Sequence, residues 1–317
     1  MIHIVDVDDE PDADLPAQAP SSPVVATGRH FDPPLARYWL DRASFTLTES
    51  DCDDRRTIRV ASLEQAVADL ISRGRRWPQA AAVCDDVLRC VDPAAPAVHG
   101  TITESLAYST LQSGPEFGRW LAERGPATPQ PSTDPALSAR SGNSLRVTLN
   151  RPHRHNALNN DMRAALLDVL DVALLDPSVE HFTLDGAGPS FCSGGDLAEF
   201  GTFANPAEAH LARTRHHPAL KLDVLAARLG RRCVAEVHGH VAGSGLELAS
   251  FCGWVRASPD SVFRLPELSL GLIPGAGGTV SVTRRIGRWR TAYLVLTGQA
   301  IDAATALDWG LIDEVGE

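Results

Sequence analysis

The stretch VAGSGLELASF, residues 241–251, decides how the C-terminal half of this chain is interpreted. It consists almost wholly of small or apolar residues, yet it places one carboxylate, Glu247, just behind a Gly-Ser-Gly run. An unpaired carboxylate that loses its water costs several kcal/mol or takes up a proton. We therefore expect Glu247 to be paired, displayed on the surface or used in chemistry.

The segments around this stretch alternate between strand and helix patterns. Such alternation predicts an α/β architecture with crossover connections, and we assign residues 144–317 to it. Strands are predicted in SLRVTLN, HFTLDGAG, RCVAEVHG and GWVRAS, and helices in NNDMRAALLDVLDVAL, PAEAHLARTRHHPALKLDVLAARL and GSGLELASF.

The first 143 residues have a different character. Residues 1–32 are acidic and then rich in Pro, Ala and Ser, which predicts a disordered tail. Apolar residues at helical spacing predict a small all-helical domain over 33–124, in which we find no chemical constellation. Residues 125–143 have the Pro, Ser and Thr content of a linker, and 142–143 (Gly-Asn) predict a hairpin turn at its end.

Composition excludes several classes of function. The formal net charge of -11 and the pI of about 5.4 give no general attraction to nucleic acid or to anionic membranes. The start, MIHIVDVDDEPDAD, lacks a signal-peptide profile, and the six cysteines show no zinc-ligand spacing. We expect a cytoplasmic protein with reduced thiols, no metal and no nucleic-acid or membrane partner. The pair at 216–217 (His-His) is predicted to lie on a helix surface.

Two glycine-rich segments invite motifs that they do not complete. A nucleophile elbow needs Gly-x-Ser-x-Gly, but Ala242 and Leu246 flank Ser244 at the glycine positions. The segment GLIPGAGGT, residues 271–279, has Val280 where a dinucleotide fingerprint needs its third glycine, and no strand directly precedes it. Serine-hydrolase and dinucleotide-binding functions are therefore not favoured.

Four segments, in this order and spacing, resemble the enoyl-CoA hydratase/isomerase (crotonase) superfamily. They are LNRPHRHNALN (149–159), PSFCSGGDLAEF (189–200), VHGHVAGSGLELA (237–249) and FRLPELSLGLIPGAGGTVSVTRRIG (263–287), followed by LTGQAIDAATALDWGLID. The resemblance covers about 144–315 and implies an α/β fold with a crotonase-like ββα spiral core, preceded by the small all-helical domain. That helical part resembles, more loosely, extensions that some members carry.

The resemblance implies a pair of backbone donors for a thioester oxygen, the N–H groups of Gly195 and Ser244. A thioester that is attacked or deprotonated develops negative charge on this oxygen, and losing one such donor costs roughly 3–4 kcal/mol. Ser244 stands where many members carry glycine. The loop before and after the first donor is implied to contact the substrate through Cys192, Ser193, Gly194 and Asp196, the last of which we expect mainly to brace the loop.

The same resemblance gives Glu247 a partner, Glu267. Hydratases of the superfamily hold a water between two such glutamates, so that one takes a proton from the water and a carboxyl delivers a proton to the α-carbon. Both acids are present here, which favours hydration or dehydration over decarboxylation or dehalogenation. The alternatives are a helix-capping acid at Glu247 and a surface acid at Glu267.

His153 and Arg154 lie where members often carry basic residues near the CoA phosphates, although a solvated loop is an equal alternative. The implied activity is reversible hydration of a 2-enoyl-CoA to a 3-hydroxyacyl-CoA, with coenzyme A as part of the substrate and no separate cofactor. The rivals are an enoyl-CoA isomerase, a cofactor-free oxygenase on the same fold, and a non-catalytic acyl-CoA-binding or scaffold subunit.

Superfamily members usually continue past the equivalent of GLIDEV, near residue 315, into helices that close the pocket and support trimer contacts. For this chain we expect the N-terminal helices to take over that role, the pocket to be open, or a partner subunit to close it. A homo-oligomer, trimeric or hexameric, is expected.

Overall fold

The computed structural model describes residues 1–8, 22–28, 33–202 and 205–316, and for 33–37 the backbone alone. Near the N-terminus, four short strands form a parallel sheet in the order β1-β2-β3-β4, and helix α1 connects β2 to β3. These elements are β1 (His3–Asp6), β2 (Val24–Gly28), α1 (Pro33–Arg42), β3 (Phe45–Thr48) and β4 (Thr57–Arg59).

Four helices follow this sheet: α2 (Leu63–Arg76), α3 (Pro78–Cys90), α4 (Ala97–Gln112) and α5 (Pro115–Arg124). The side chain of Ser62 caps α2 by accepting a hydrogen bond from the Gln65 amide. Pro78 and Pro115 stand in the first turns of their helices, where a missing N–H removes no helical hydrogen bond.

The N-terminal region therefore differs from the sequence prediction in two ways. Residues 3–6 and 24–28, predicted as part of a disordered tail, are strands, whereas 9–21 and 29–32 lie outside the described residues. The segment 33–124 is not all-helical, because it contains β3 and β4. Parallel strands need crossover connections and leave no local hairpin signal, so three- to five-residue strands of this kind are hard to recognise in a sequence.

The second half of the chain is built on a six-stranded sheet in the order β13-β10-β8-β7-β6-β5. The two strands that come first in the chain, β5 and β6, form an antiparallel hairpin through the predicted Gly-Asn turn at 142–143. All other neighbouring strands of this sheet pair in parallel. The segment predicted as a linker therefore contains β5, the strand at one edge of this sheet. The strands are β5 (Ala136–Ser141), β6 (Ser144–Leu149), β7 (His181–Gly186), β8 (Cys233–Val237), β10 (Trp254–Ala257) and β13 (Glu314–Val315).

A smaller three-stranded sheet and six helices complete this half and confirm the predicted α/β architecture. Helix α6 is typical: Asn159 caps it, and its apolar residues at 162, 166, 170 and 173 are buried at a spacing of three or four. The elements are β9 (His240–Ala242), β11 (Val262–Arg264), β12 (Ile301–Asp302), α6 (Asn160–Leu175), α7 (Pro206–Arg215), α8 (Pro218–Leu229), α9 (Ser244–Phe251), α10 (Gly278–Thr297) and α11 (Ala303–Trp309).

One hydrophobic core runs through both halves. Phe45, Leu70 and Cys84 from the N-terminal region belong to the same buried cluster as Val280 and Leu294 of α10. Hydrogen bonds reinforce this contact: Arg73 donates to the Leu296 carbonyl (3.0 Å) and Trp289 to the Leu40 carbonyl (3.1 Å). The N-terminal helices thus pack on the α/β core of their own chain, next to the residues that the sequence marks for function.

Candidate active site

A cavity of about 730 Å³ lies where α4 meets the α/β core. Its wall is formed by α4, α6, α7 and α9 and by the loops that precede α9 and α10. This volume is in the range of sites for small molecules, roughly 300–1,000 Å³. Among the predicted functional residues, it is lined by His153, Arg154, Ser193, Gly194, Gly195, Asp196, Ser244, Glu247 and Glu267.

Two glycine-rich loops touch each other on one wall of this cavity. Gly194 has φ 108°, and a Cβ placed there would lie 3.4 Å from the Ala242 carbonyl oxygen. A Cβ at Gly245 would lie 2.6 Å from the Cβ of Cys192. The loops are also joined by a hydrogen bond from the Ala242 amide to the Cys192 carbonyl, at 2.9 Å. Glycines are therefore needed here for close approach of two backbones.

This approach places two backbone amides side by side. A Cβ at Gly195 would lie 3.9 Å from Oγ of Ser244, the first residue of α9. Within the described part of the chain, no protein atom accepts a hydrogen bond from either the Gly195 or the Ser244 amide. Two free N–H groups on a cavity wall, one of them at a helix N-terminus, can stabilise an oxyanion.

Glu247 is buried, with 1% of its surface exposed, one turn into α9. Its Oε2 accepts hydrogen bonds from the amides of Ala276 and Gly278, both at 2.7 Å. Burial raises the pKa of this carboxyl to about 7, although the backbone hydrogen bonds oppose the shift. The carboxyl therefore changes its protonation state near neutral pH, as a general acid or base requires.

Glu104, on α4, is a buried acid of the same region that the sequence analysis missed. Its Oε1 accepts from the Gly277 amide (2.7 Å), and its Oε2 accepts from the amide and the hydroxyl of Thr279 (2.9 and 2.7 Å). Burial first, and the charge of Glu247 second, raise its pKa to about 8. Two carboxylates thus share four consecutive amides, 276–279, at the start of α10.

A signal for Glu104 exists in the sequence. In TITESLAYSTLQ it stands four residues before Tyr108 and seven before Leu111, so the three share one face of the predicted helix. The structure buries this face, including Thr101, Glu104, Tyr108 and Leu111. An acid on a buried face needs donors or a proton, so it could have been named as a candidate.

Glu267 is 8% exposed, so the alternative of a surface acid is wrong. A Cβ at Gly243 would lie 2.8 Å from its Oε1, and in the described structure its Oε2 has no hydrogen-bond partner. Burial first, and the charge of Glu247 second, raise the pKa of Glu267 well above its ordinary value. Two amides stabilise the ionised form of Glu247, whereas Oε2 of Glu267 has no donor among the described residues, so the geometry favours the proton on Glu267.

The loop residues have different positions. Asp196 lines the cavity, but its carboxylate pairs with the buried Arg151 at 2.9 Å and accepts from the Ala198 amide at 3.1 Å, so it braces the loop as expected. Cys192 does not line the cavity, because its side chain is fully buried beneath Gly245, and its implied contact with substrate stays a prediction.

His153 and Arg154 are exposed at the cavity, in the loop that follows β6. This position agrees with either interpretation of the two side chains, a phosphate contact or a solvated loop. Neither side chain has an acceptor among the described residues.

The prediction that the paired histidines lie on a helix surface is wrong for one of them. Chain 206–229 forms two helices, and the break at His216 and His217 turns His217 into the cavity wall, with 7% of its surface exposed. Burial, followed by the charges of Arg163 and Arg213, lowers its pKa to about 4. Both arginines also line the cavity.

Neither a metal-binding group nor a membrane-spanning helix is found among the described residues. No group of three or more His, Cys, Asp and Glu side chains there is placed to hold a metal ion. In the same residues, no helix has the length and apolar character that crossing a membrane requires.

Comparison with known sequences identifies a family. The profile described as "Enoyl-CoA hydratase/isomerase" matches residues 140–316. The 2,3-dehydroadipyl-CoA hydratase of Escherichia coli (strain K12) is 36% identical over 179 residues, which are 56% of this chain and 68% of that protein. The probable enoyl-CoA hydratase echA8 of Mycobacterium leprae (strain TN) is 34% identical over 172 residues, 53% of this chain and 63% of that protein. The chain thus spans about two thirds of these relatives.

Solved structures agree with this match. A putative enoyl-CoA hydratase from Thermobifida fusca YX, in complex with acetoacetyl-CoA, superimposes with a TM-score of 0.51 at 29% sequence identity. The match covers 57% of this chain and 73% of that one. An enoyl-CoA hydratase from Thermoplasma volcanium GSS1 gives a TM-score of 0.50 at 32% identity, over 58% of this chain and 72% of that one.

Proposed function

The chain belongs to the enoyl-CoA hydratase/isomerase family, and on this premise we propose that it adds water reversibly to a 2-enoyl-CoA to give a 3-hydroxyacyl-CoA. The observation that carries the proposal is the meeting, in one cavity, of two free backbone N–H groups with two buried glutamates of different proton affinity. Hydration needs these groups together: donors for a developing enolate oxygen, a base for water and an acid for the α-carbon.

The amides of Gly195 and Ser244 are proposed to hold the thioester oxygen. As water adds to the β-carbon, negative charge moves onto this oxygen, and preorganised N–H groups stabilise it without reorganisation. The close packing of Gly194 on Ala242 keeps the two donors in place. Because the donor at residue 244 is the backbone, the serine hydroxyl is not required.

The environments of the two glutamates suggest their roles. Glu247, with a pKa of about 7, is partly ionised at neutral pH and is proposed to take a proton from the attacking water. Glu267, whose pKa is well above its ordinary value, keeps its proton and is proposed to deliver it to the α-carbon. The charge on Glu247 helps to keep Glu267 protonated, so the two groups titrate as a coupled pair.

Incubation with 2-enoyl-CoA esters of increasing chain length tests the proposal. Hydration removes the conjugated double bond, so we expect loss of the enoyl-thioester absorbance and a product heavier by one water in the mass spectrum. Isomerisation would leave the mass unchanged, and binding without chemistry would change neither quantity. Either result, across the whole series, would refute hydration as the activity.

A further inference from the structure

The basic side chains that line the cavity include Arg163 on α6, Arg213 on α7, and His217 just before α8. We refer to them as the basic cluster. Arg163 has no hydrogen-bond or ion-pair partner for its guanidinium in the part of the chain that the structure describes. His217 is buried, with 7% of its surface exposed, and its Nδ1 also has no hydrogen-bond partner among the described residues.

Arg213 is bonded only to neutral groups. Its nitrogens donate to the hydroxyls of Ser105 and Ser109 and to the side-chain oxygen of Gln112, at 2.5–3.2 Å. The guanidinium also lies 4.4 Å from the ring centre of Tyr108. Its positive charge is therefore solvated by neutral groups and balanced by no carboxylate at contact distance.

Acidic residues near the basic cluster have other partners. Glu199 lines the same cavity and its charge acts on Arg163, but the two form no ion pair at contact distance, and both oxygens of Glu199 accept from the Asn160 amide, at 2.9 and 3.1 Å. The oxygens of Glu104 and Glu247 are bound by the amides 276–279. Burial lowers the pKa values of Arg163, Arg213 and His217 and raises those of Glu104 and Glu247. In each case loss of contact with water disfavours the charged form.

The basic cluster is close to the reacting carbons of the proposed substrate. Arg213 lies over the ring of Tyr108, and a Cβ at Gly275 would lie 2.5 Å from Cε2 of that ring. The next residue, Ala276, donates its amide hydrogen bond to Glu247. A half-buried guanidinium and a buried imidazole nitrogen without partners are both partly or wholly desolvated, and such groups in a cavity point to a ligand that completes them. Two guanidinium groups together suit a carboxylate, whose oxygens accept paired N–H bonds.

We propose that the basic cluster binds a carboxylate at the far end of the acyl chain, so that the substrate is the mono-CoA ester of a dicarboxylic acid. This rests on the proposed function for the position of the thioester and the reacting carbons. Arg163 supplies a guanidinium with no hydrogen-bond partner among the described residues, Arg213 a second guanidinium, and His217 a neutral hydrogen-bonding group. A neutral acyl chain of the same length would leave the half-buried Arg163 without an acceptor.

Binding of saturated esters tests this inference without any need for turnover. Hexanoyl-CoA and adipoyl-CoA have equal chain length and differ by the terminal carboxylate, and butyryl-CoA with succinyl-CoA and octanoyl-CoA with suberoyl-CoA extend the comparison. Calorimetric titration of the full-length protein should show that the acid-terminated ester of at least one pair binds roughly 10- to 100-fold more tightly. Equal affinities within all three pairs would overturn the inference.

Substitutions locate the effect. R163M removes the charge without breaking an internal hydrogen bond, and the affinity ratio within the preferred pair should fall to about 1, whereas R163K should retain part of it. R215M is the matched control, because Arg215 is exposed on the same helix as Arg213 and does not line the cavity. If R163M instead weakened both esters and free CoA equally, the arginine would serve the CoA moiety and the inference would be wrong.

The outcome separates this inference from the proposed function. A protein that prefers acid-terminated esters but hydrates none of the matching 2-enoyl esters would refute hydration and leave the carboxylate site standing. A protein that hydrates 2-enoyl-CoAs and shows no preference within any pair would refute the carboxylate site and leave hydration standing.

Discussion

At the scale of single residues, three buried glutamates in and beside this cavity have three different environments. Glu247 is bound by two amides and has a pKa of about 7, whereas Glu267 has an oxygen without a partner and a pKa raised well above its ordinary value. Glu104 shares the amide row with Glu247. Differences in hydrogen bonding and burial, rather than in residue type, thus decide which carboxyl is ionised.

Replacing either proposed acid–base residue should remove turnover and preserve binding. We expect E247Q and E267Q each to lower kcat for 2-enoyl-CoA hydration by about 100-fold or more, because proton transfer by a positioned carboxyl contributes at least that much. The dissociation constant for a saturated acyl-CoA should change little. E208Q, at an exposed position in α7, is the control. Near-wild-type turnover in one of the two variants would remove that residue from the mechanism.

The pH dependence of kcat/KM should follow the two carboxyls. The rate requires Glu247 ionised, so it should rise with pH through about 7, the pKa of that group. It should fall again at the higher pH where Glu267 loses its proton. A pH–rate profile measures both limbs. A rate that falls as the pH rises through 7 would contradict the assignment of Glu247 as the base.

The oxyanion donors can be separated from the serine hydroxyl. G195P deletes one N–H and should reduce kcat strongly, by about 100-fold or more, whereas S244G keeps its N–H and should have a small effect. Circular dichroism and a melting curve show whether each variant is folded. If S244G were the more harmful change in folded protein, the hydroxyl rather than the backbone would be the important group.

At the scale of elements, helix α4 supplies the side chain that completes the start of α10. Glu104 accepts three hydrogen bonds from Gly277 and Thr279, whose amides alternate with the two amides that hold Glu247. A helix from the N-terminal region therefore fixes the loop on which the proposed base rests.

Changing Glu104 should affect both stability and rate. E104Q replaces an acceptor oxygen with an NH₂ group that faces an amide N–H, and leaving a buried polar group unsatisfied in this way costs about 1–3 kcal/mol. We expect a lower Tm and a lower kcat, because the amides that position Glu247 are displaced. D302A removes the side-chain cap of α11 outside the cavity and should lower Tm without lowering kcat. A lowered Tm with unchanged kcat in E104Q would make Glu104 purely structural.

The sequence predicted some elements well because their signals are local. Asn159 and the 3.6-residue apolar period mark α6, and the Gly-Asn pair marks the hairpin of β5 and β6. The partners of Glu104 lie more than 170 residues away, and the orientation of His217 depends on a break between two helices. Such features come from tertiary packing, which no local pattern contains.

At the scale of the whole molecule, the N-terminal region is part of the cavity and of the core. Tyr108 and Gln112 line the cavity, and Ile2 is buried, with its side chain 2.7 Å from where a Cβ at Gly74 would lie. These contacts support the proposal that this region takes the place of the pocket-closing helices. The helices cover one side of the site in the same chain.

Truncation tests this arrangement. Removal of residues 1–124 would expose the apolar surface of α10 that packs on α2, α3 and α4, so we expect an aggregated or inactive protein. Removal of 1–30 takes away β1 and β2 and should lower Tm as well. Size-exclusion chromatography, melting curves and turnover measure these outcomes. A soluble, fully active 125–317 fragment would show that the N-terminal region is a separate module.

The most direct test of the central claim is hydration of a 2-enoyl-CoA by the full-length chain in water enriched in ¹⁸O. We predict a 3-hydroxyacyl-CoA that carries one ¹⁸O atom on its β-carbon. E247Q should lower the rate of its formation by about 100-fold or more. Products without ¹⁸O, or equal incorporation by the wild type and E247Q, would contradict it.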